Sequence, residues 1–158
     1  KMYQNIIDKL EMLPHPEGGF YKETYRSSES VDTEMGERSL STGIYFLLPK
    51  GHVSHFHRIK SDEMWHFYSG DPLTIVEIDE QGKLITTTLG PNLDKGEIPQ
   101  YVVKANRWFG SFPSDKSEFC FVGCTVSFGF DFTDFELANK ENLQKQFPEL
   151  SIMIEKLT

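Results

Sequence analysis

Residues 20–137 are a succession of aromatic and β-branched segments, each five to eight residues long and closed by Gly, Pro, Asn or Asp, with no helical periodicity. A chain of this texture buries its apolar side chains by pairing strands. The expected strands are 20–27, 41–48, 53–57, 63–68, 73–79, 83–89, 100–104, 108–112, 118–123 and 125–132. Asp79-Glu80-Gln81-Gly82, between two alternating runs, is the clearest hairpin turn. Residues 28–38 are polar and acidic and read as an exposed loop. Helical spacing returns only at the ends. Ile6, Ile7, Leu10 and Leu13 mark an amphipathic helix over 2–13, ended by Pro14-His15-Pro16-Glu17-Gly18-Gly19, and Ile152, Ile154 and Leu157 give the tail an apolar side beyond Pro148. Short strands at regular spacing between terminal helices predict an all-β jelly roll or small antiparallel barrel, a fold that can enclose one small ligand.

With 158 residues, 38% of them hydrophobic, the chain is expected to form one domain over 1–158, with a barrel at about 19–134 and flanking helices at about 2–13 and 137–157. A net charge of −8 with scattered basic residues argues against nucleic acid or an anionic membrane surface as partner. The longest apolar run, residues 44–48, is too short to span a bilayer. Cys120 and Cys124 are separated by about 13 Å of extended chain, beyond disulfide reach, so both read as buried thiols of a reducing, cytoplasmic protein.

The chemistry concentrates in residues 51–66. His55 and His57 stand two apart on an extended segment and share a face. After a polar turn, Glu63 opens the strand Glu63-Met64-Trp65-His66-Phe67-Tyr68. Pairing of the two strands brings imidazoles and a carboxylate together. Trp65 shares the phase of Glu63 and is expected to wall the pocket, whereas His66 faces away, towards packing or a subunit contact. Glu23 and Arg26 have opposite phase on a regular strand, so one of them at most faces the cavity. Tyr21 and Tyr25 share the phase of Glu23 and offer a phenol for acid chemistry. Asp131 is expected as a hydrogen-bonded carboxylate at the barrel mouth.

These residues resemble the cupin superfamily, in which Gly, two His and Glu on the opening strands of a double-stranded β-helix are followed later by another His. The similarity is greatest to the fifth cupin family, a domain of unknown function with sugar-epimerase-like relatives. It rests on Leu13-Pro14-His15-Pro16-Glu17-Gly18-Gly19-Phe20-Tyr21-Lys22-Glu23-Thr24-Tyr25-Arg26, on the segment from Ser54 to Gly70, and on Val122-Gly123-Cys124-Thr125-Val126-Ser127-Phe128-Gly129-Phe130-Asp131-Phe132. The resemblance implies a jelly-roll cupin barrel with short N- and C-terminal helices, a homodimer, and a small polar metabolite in the barrel. Five residues separate His57 from Glu63, against the three or four usual in metal-binding cupins. Phe109 stands where the later His would be, and a Phe coordinates nothing. Two chemistries follow from the likeness. His57 and Glu63 act as an epimerase- or isomerase-like acid–base pair, in a pocket lined by His55, Trp65, Glu23, Tyr25 and Phe109. Alternatively, His55, His57 and Glu63 form a facial site for a divalent metal such as Fe, Mn, Ni or Zn. A non-catalytic binding protein is the third expectation.

Overall fold

The computed structural model describes residues 2–114 and 116–158. The helix α1 (Met2–Leu10) leads into a two-residue strand, β1 (Leu13–Pro14). It stops short of residue 13 because Glu11 has φ +54° and Pro14 biases the residue before it towards extended backbone. The next strands are β2 (Phe20–Arg26), β3 (Ser30–Thr33), β4 (Gly36–Ser39), β5 (Thr42–Pro49), β6 (Ser54–Arg58) and β7 (Asp62–Gly70). They are followed by β8 (Leu73–Ile78), β9 (Leu84–Leu89), β10 (Gln100–Val103), β11 (Phe109–Pro113), β12 (Phe119–Ser127) and β13 (Glu136–Leu137). The tail forms α2 (Lys140–Gln146), capped by the Asn139 side chain, and α3 (Ser151–Lys156), with a 3₁₀ turn at Pro148–Leu150 between them.

Two antiparallel sheets face one another, one in the order β1-β2-β5-β12-β7-β10 and the other β13-β6-β11-β8-β9. This is a jelly-roll β-sandwich with flanking short helices. Phe46, Leu48, Trp65, Leu73, Ile75, Phe109 and Val122 fill the space between the sheets. The outer side of β5 is also covered, since Leu47 packs with Ile7 and Met12 below α1. That double burial explains why residues 44–48 read as an unbroken apolar run. On the other sheet, Phe56, Val76 and Ile78 pack against Leu143, Ile154 and Leu157 of the C-terminal segment. The Phe56 amide donates to the Leu157 carbonyl at 2.8 Å, fastening the tail to β6. Among the described residues, no helix is long and apolar enough to cross a membrane.

Two expectations are corrected. Residues 28–38 contain the hairpin of β3 and β4 rather than an open loop. Its alternation is masked by mostly polar side chains, and this separate two-stranded sheet is fastened to the segment after β12 by Arg38, which pairs with Asp134 at 2.8 Å. The segments at 118–123 and 125–132 are one strand, β12, running through Gly123 to Ser127. Gly123 does not break it; it makes room for the Tyr68 ring, which presses against the position a Cβ would take.

Candidate functional site

A cavity of about 410 Å³ opens at one end of the barrel. Its polar lining is His15, Glu17, Tyr21, Glu23, Arg26, Thr42, His57, Glu63 and Asp131, and Phe130, Phe132 and Phe135 supply an aromatic wall. Cys124 also reaches it. The volume suits one small molecule.

The centre of the site is Glu17, which sequence reasoning placed in a helix-ending turn. The loop carrying it is folded tightly on itself, with Gly18 N–H donating to the His15 carbonyl and His15 N–H to the Gly19 carbonyl, both at 2.9 Å. Gly18 has φ +112°, and a Cβ there would collide with the Val53 carbonyl oxygen. The loop is thereby laid against β6, and the Glu17 side chain is directed inward. Its Oε2 accepts from Ser54 Oγ at 2.7 Å and lies 2.7 Å from His57 Nε2. His57 Nδ1 lies 2.7 Å from the His55 carbonyl, which can only accept. Both ring nitrogens therefore face acceptors, and the imidazolium satisfies both. Burial disfavours the charge on His57, but the Glu17 carboxylate and these hydrogen bonds outweigh it and raise the pKa above its ordinary value. On Glu17 burial is likewise overcome, chiefly by the His57 charge and hydrogen bond and by the Ser54 hydroxyl, and the carboxyl is held down at about 2.

Glu63 lies on β7, facing the same cavity, in register with Val126 of β12. Burial pushes its carboxyl up, the Glu17 carboxylate adds to this, and His57 and the Cys124 thiol only partly oppose it; the result is about 8. Two carboxyl groups in one pocket are thus driven apart, one ionised and one protonated at neutral pH. The Cys124 thiol is raised well above its ordinary range, first by burial and then by Glu63, and is an inert neighbour rather than a nucleophile.

Of the residues singled out in the sequence, His57, Glu63, Glu23, Tyr21, Arg26 and Asp131 line the cavity. His55, Trp65, Tyr25 and Phe109 do not. The His55 backbone N–H and Nδ1 both meet the Glu17 carbonyl, each at 2.7 Å, so His55 clamps the Glu17 loop to β6. Trp65 is 1% exposed and packs edge-on against Phe46 and Phe109 in the inter-sheet core. Phe109 pairs in register with His57 and lays its ring 4.2 Å from the imidazole, beneath the cavity floor. Tyr25 is 58% exposed. The reason is a register shift in β2: Glu23 pairs with Ile44 and Tyr25 with Gly43, leaving Thr24 as an extra residue. The bulge turns Tyr25 outward and brings Arg26 in beside Glu23, so both members of that pair reach the cavity despite their opposite phase. Arg26 bridges Glu23 at 2.6 Å and the Phe130 carbonyl at 3.0 Å. Asp131 accepts from the Thr133 amide and hydroxyl at the rim, as expected. His66 faces away from the cavity, with Nε2 2.9 Å from Thr125 Oγ1.

The three side chains expected to hold a divalent metal, His55, His57 and Glu63, are not brought together, because His55 does not line the cavity. Among the described residues, no group of three or more His, Cys, Asp or Glu side chains is placed to hold one. His57 Nε2 is engaged by Glu17, and its Nδ1 lies against the His55 carbonyl.

Two antiparallel sheets closed over a cavity that holds a histidine and carboxyl groups define a cupin barrel. Residues 4–138 match the family described as Cupin superfamily (DUF985), and the chain belongs to it. An uncharacterised protein of Saccharomyces cerevisiae is 29% identical over 154 residues, covering 88% of this chain and 76% of its own length. The crystal structure of a Shewanella oneidensis protein superposes with a TM-score of 0.91 at 44% identity, over 98% of this chain and 96% of that one. A hypothetical protein from Leishmania major gives 0.91 at 35% identity, over 98% and 97%. Oxalate decarboxylase of Bacillus subtilis shares the fold at a TM-score of 0.59 and 14% identity, this chain spanning 37% of its length.

Proposed function

We propose that this cupin binds an uncharged, carbonyl- or hydroxyl-bearing small molecule and moves a proton on it, as an isomerase or epimerase does. The observation that carries the reading is the pairing of a buried Glu17–His57 ion pair with a protonated Glu63 in one cavity. A group that titrates near neutrality serves best for both taking and returning a proton. Glu63 is that group, at about 8. The roles expected from sequence are exchanged in this reading. His57, with both nitrogens committed, is a fixed cation, and Glu63 is the titrating residue. In its ionised fraction Glu63 removes a proton from the carbon beside a carbonyl, the electron pair moves to the carbonyl oxygen, and the imidazolium stabilises that developing charge. Delivery of a proton to the opposite face of that carbon, from a second donor such as the Tyr21 phenol that also lines the cavity, completes an epimerisation, with solvent restoring both groups. Return from Glu63 to the same face only exchanges the proton. Return to the neighbouring position, with a matching hydroxyl proton shift, completes an isomerisation.

Charge selects the substrate. Glu17, Glu23 and Asp131 line the cavity against His57 and Arg26, so an anion such as a phosphorylated sugar gains nothing on entry. The aromatic wall of Phe130, Phe132 and Phe135 suits an apolar ring or chain face.

The experiment is solvent exchange in D₂O. Aldoses, ketoses and hydroxyketones are incubated with protein and followed by NMR. Deuterium is expected to enter the carbon next to the carbonyl of at least one compound, and Glu63→Gln is expected to slow this by about 10²-fold or more. Ligands that bind in the cavity but never exchange would favour the non-catalytic binding reading instead.

A further inference from the structure

We infer that His15 is the ligand's hydrogen-bond donor: a neutral imidazole whose Nε2–H receives a carbonyl, ether or hydroxyl oxygen of the molecule in the cavity. The inference builds on the small-molecule reading above and adds the recognising group.

A backbone bond fixes the tautomer. The Glu17 N–H donates to His15 Nδ1 at 3.1 Å, and an amide N–H has no other role. Nδ1 is therefore a lone-pair acceptor, and the ring proton sits on Nε2. The approach of Glu17 Oε1 to the same Nδ1, at 3.4 Å, is then a contact between two acceptors and not an ion pair. Around the ring stand Tyr21, Phe46, Phe132 and Phe135, with centroids 4.7, 6.1, 5.9 and 5.8 Å away. These rings hold its plane and offer it no strong acceptor.

The imidazole side chain is only 6% exposed, yet Nε2 has no hydrogen-bond partner among the described residues. It differs from the indole nitrogens of Trp65 and Trp108, which are unpartnered and sealed from solvent. His15 Nε2 is not sealed, and the space its ring borders is the cavity. A buried donor without a partner is costly, and one turned into a ligand cavity is satisfied by ligand or by water awaiting displacement. The neighbouring Glu17 carboxylate repels an anionic ligand oxygen, so the oxygen accepted here is uncharged.

Two substitutions separate this role from a structural one. The Asn side-chain oxygen reaches only as far as Nδ1, so His15→Asn keeps the acceptor for the Glu17 N–H and withdraws the donor. The Gln amide nitrogen reaches as far as Nε2, so His15→Gln keeps the donor and gives up the backbone bond. The probes are 1,3-dihydroxyacetone and D-fructose, titrated into protein with ¹⁵N-labelled histidine. The expected result is a His15 Nε2 resonance of the neutral tautomer that moves on titration. Affinity is expected to fall about tenfold in His15→Asn and to stay near wild type in His15→Gln. Thermal melting is expected to rank the variants the other way.

The inference is overturned if neither probe moves the His15 resonance, if His57 responds and His15 does not, or if His15→Asn binds as wild type does. Binding at His15 without deuterium exchange would remove the catalytic reading and leave this one. Exchange that survives unchanged in His15→Asn would do the reverse.

Discussion

His57 Nε2 stands 2.7 Å from Glu17 Oε2 across forty residues of sequence, and both side chains are buried. Ser54, at the start of the strand that carries His57, donates to the same carboxylate oxygen. The pair is a single unit, and removing one charge strands the other.

Glu17→Gln is therefore expected to destabilise the protein by about 3–5 kcal/mol in urea unfolding. The same variant should release the His57 proton near neutral pH, visible in histidine ¹⁵N shifts. Linkage gives the acid side. A carboxyl lowered from 4.5 to about 2 contributes stability that is complete above pH 4.5 and lost as pH falls towards 2. The acid-unfolding limb of Glu17→Gln should be flatter than that of wild type. An imidazolium that persists in the variant at pH 7 would show that Glu17 is not what holds the proton.

Glu63 has the opposite sign. Its carboxyl rises from 4.5 to about 8 on folding, so its contribution is complete below pH 4.5 and lost as pH rises through 8. Glu63→Gln removes that dependence. The stability of the variant relative to wild type is expected to climb steadily across this window, reaching a few kcal/mol at its upper end. Melting curves of both proteins at matched pH values check it, and parallel curves would place the Glu63 pKa in the ordinary carboxylate range.

Gly18→Ala is expected to cost about 3 kcal/mol or more, because the added Cβ meets the Val53 carbonyl at a φ that only glycine adopts freely. The strain falls on the loop that carries Glu17. Histidine shifts should report loss of the His57 pairing along with the lower melting temperature. An alanine variant with wild-type stability and an intact pair would mean that the loop has room to relax.

Titration with Zn²⁺, Mn²⁺, Fe²⁺ or Ni²⁺ is expected to leave the melting temperature unchanged, since ligation at His57 must first displace Glu17 or the His55 carbonyl. Phe109→His is expected to behave in the same way, because it supplies a nitrogen without freeing the ones already engaged. A saturable rise in melting temperature on metal addition to either protein would restore the facial ligand set.

Much of the fold was legible in the sequence because strand period and turn residues are local signals. The strands from β5 to β11 fall within about two residues of the expected bounds. Less of the site was legible. His57 and Glu63 could be placed because strand alternation and a recognisable motif agree on them. Trp65 was misplaced because phase alone does not distinguish a cavity-facing position from the inter-sheet core further along the same face. His15 and Glu17 were read as turn residues because Pro14, Pro16, Gly18 and Gly19 surround them. The family likeness already spanned that segment, and the conjunction of a His and a Glu inside a conformationally constrained loop was the available signal.

The sequence by itself determined most of the strands, the clearest turn, the terminal helices and the membership of a cupin family. Each follows from interactions between near neighbours or from a pattern readable along the chain. Tertiary structure decided which ionisable groups face one another. A loop folded on Gly18 delivers Glu17 to His57, one bulged residue in β2 turns Arg26 inward and Tyr25 outward, and burial then drives two carboxyl groups to opposite charge states. Desolvation and Coulomb forces depend on distances across the barrel, and those distances exist only once the two sheets have closed.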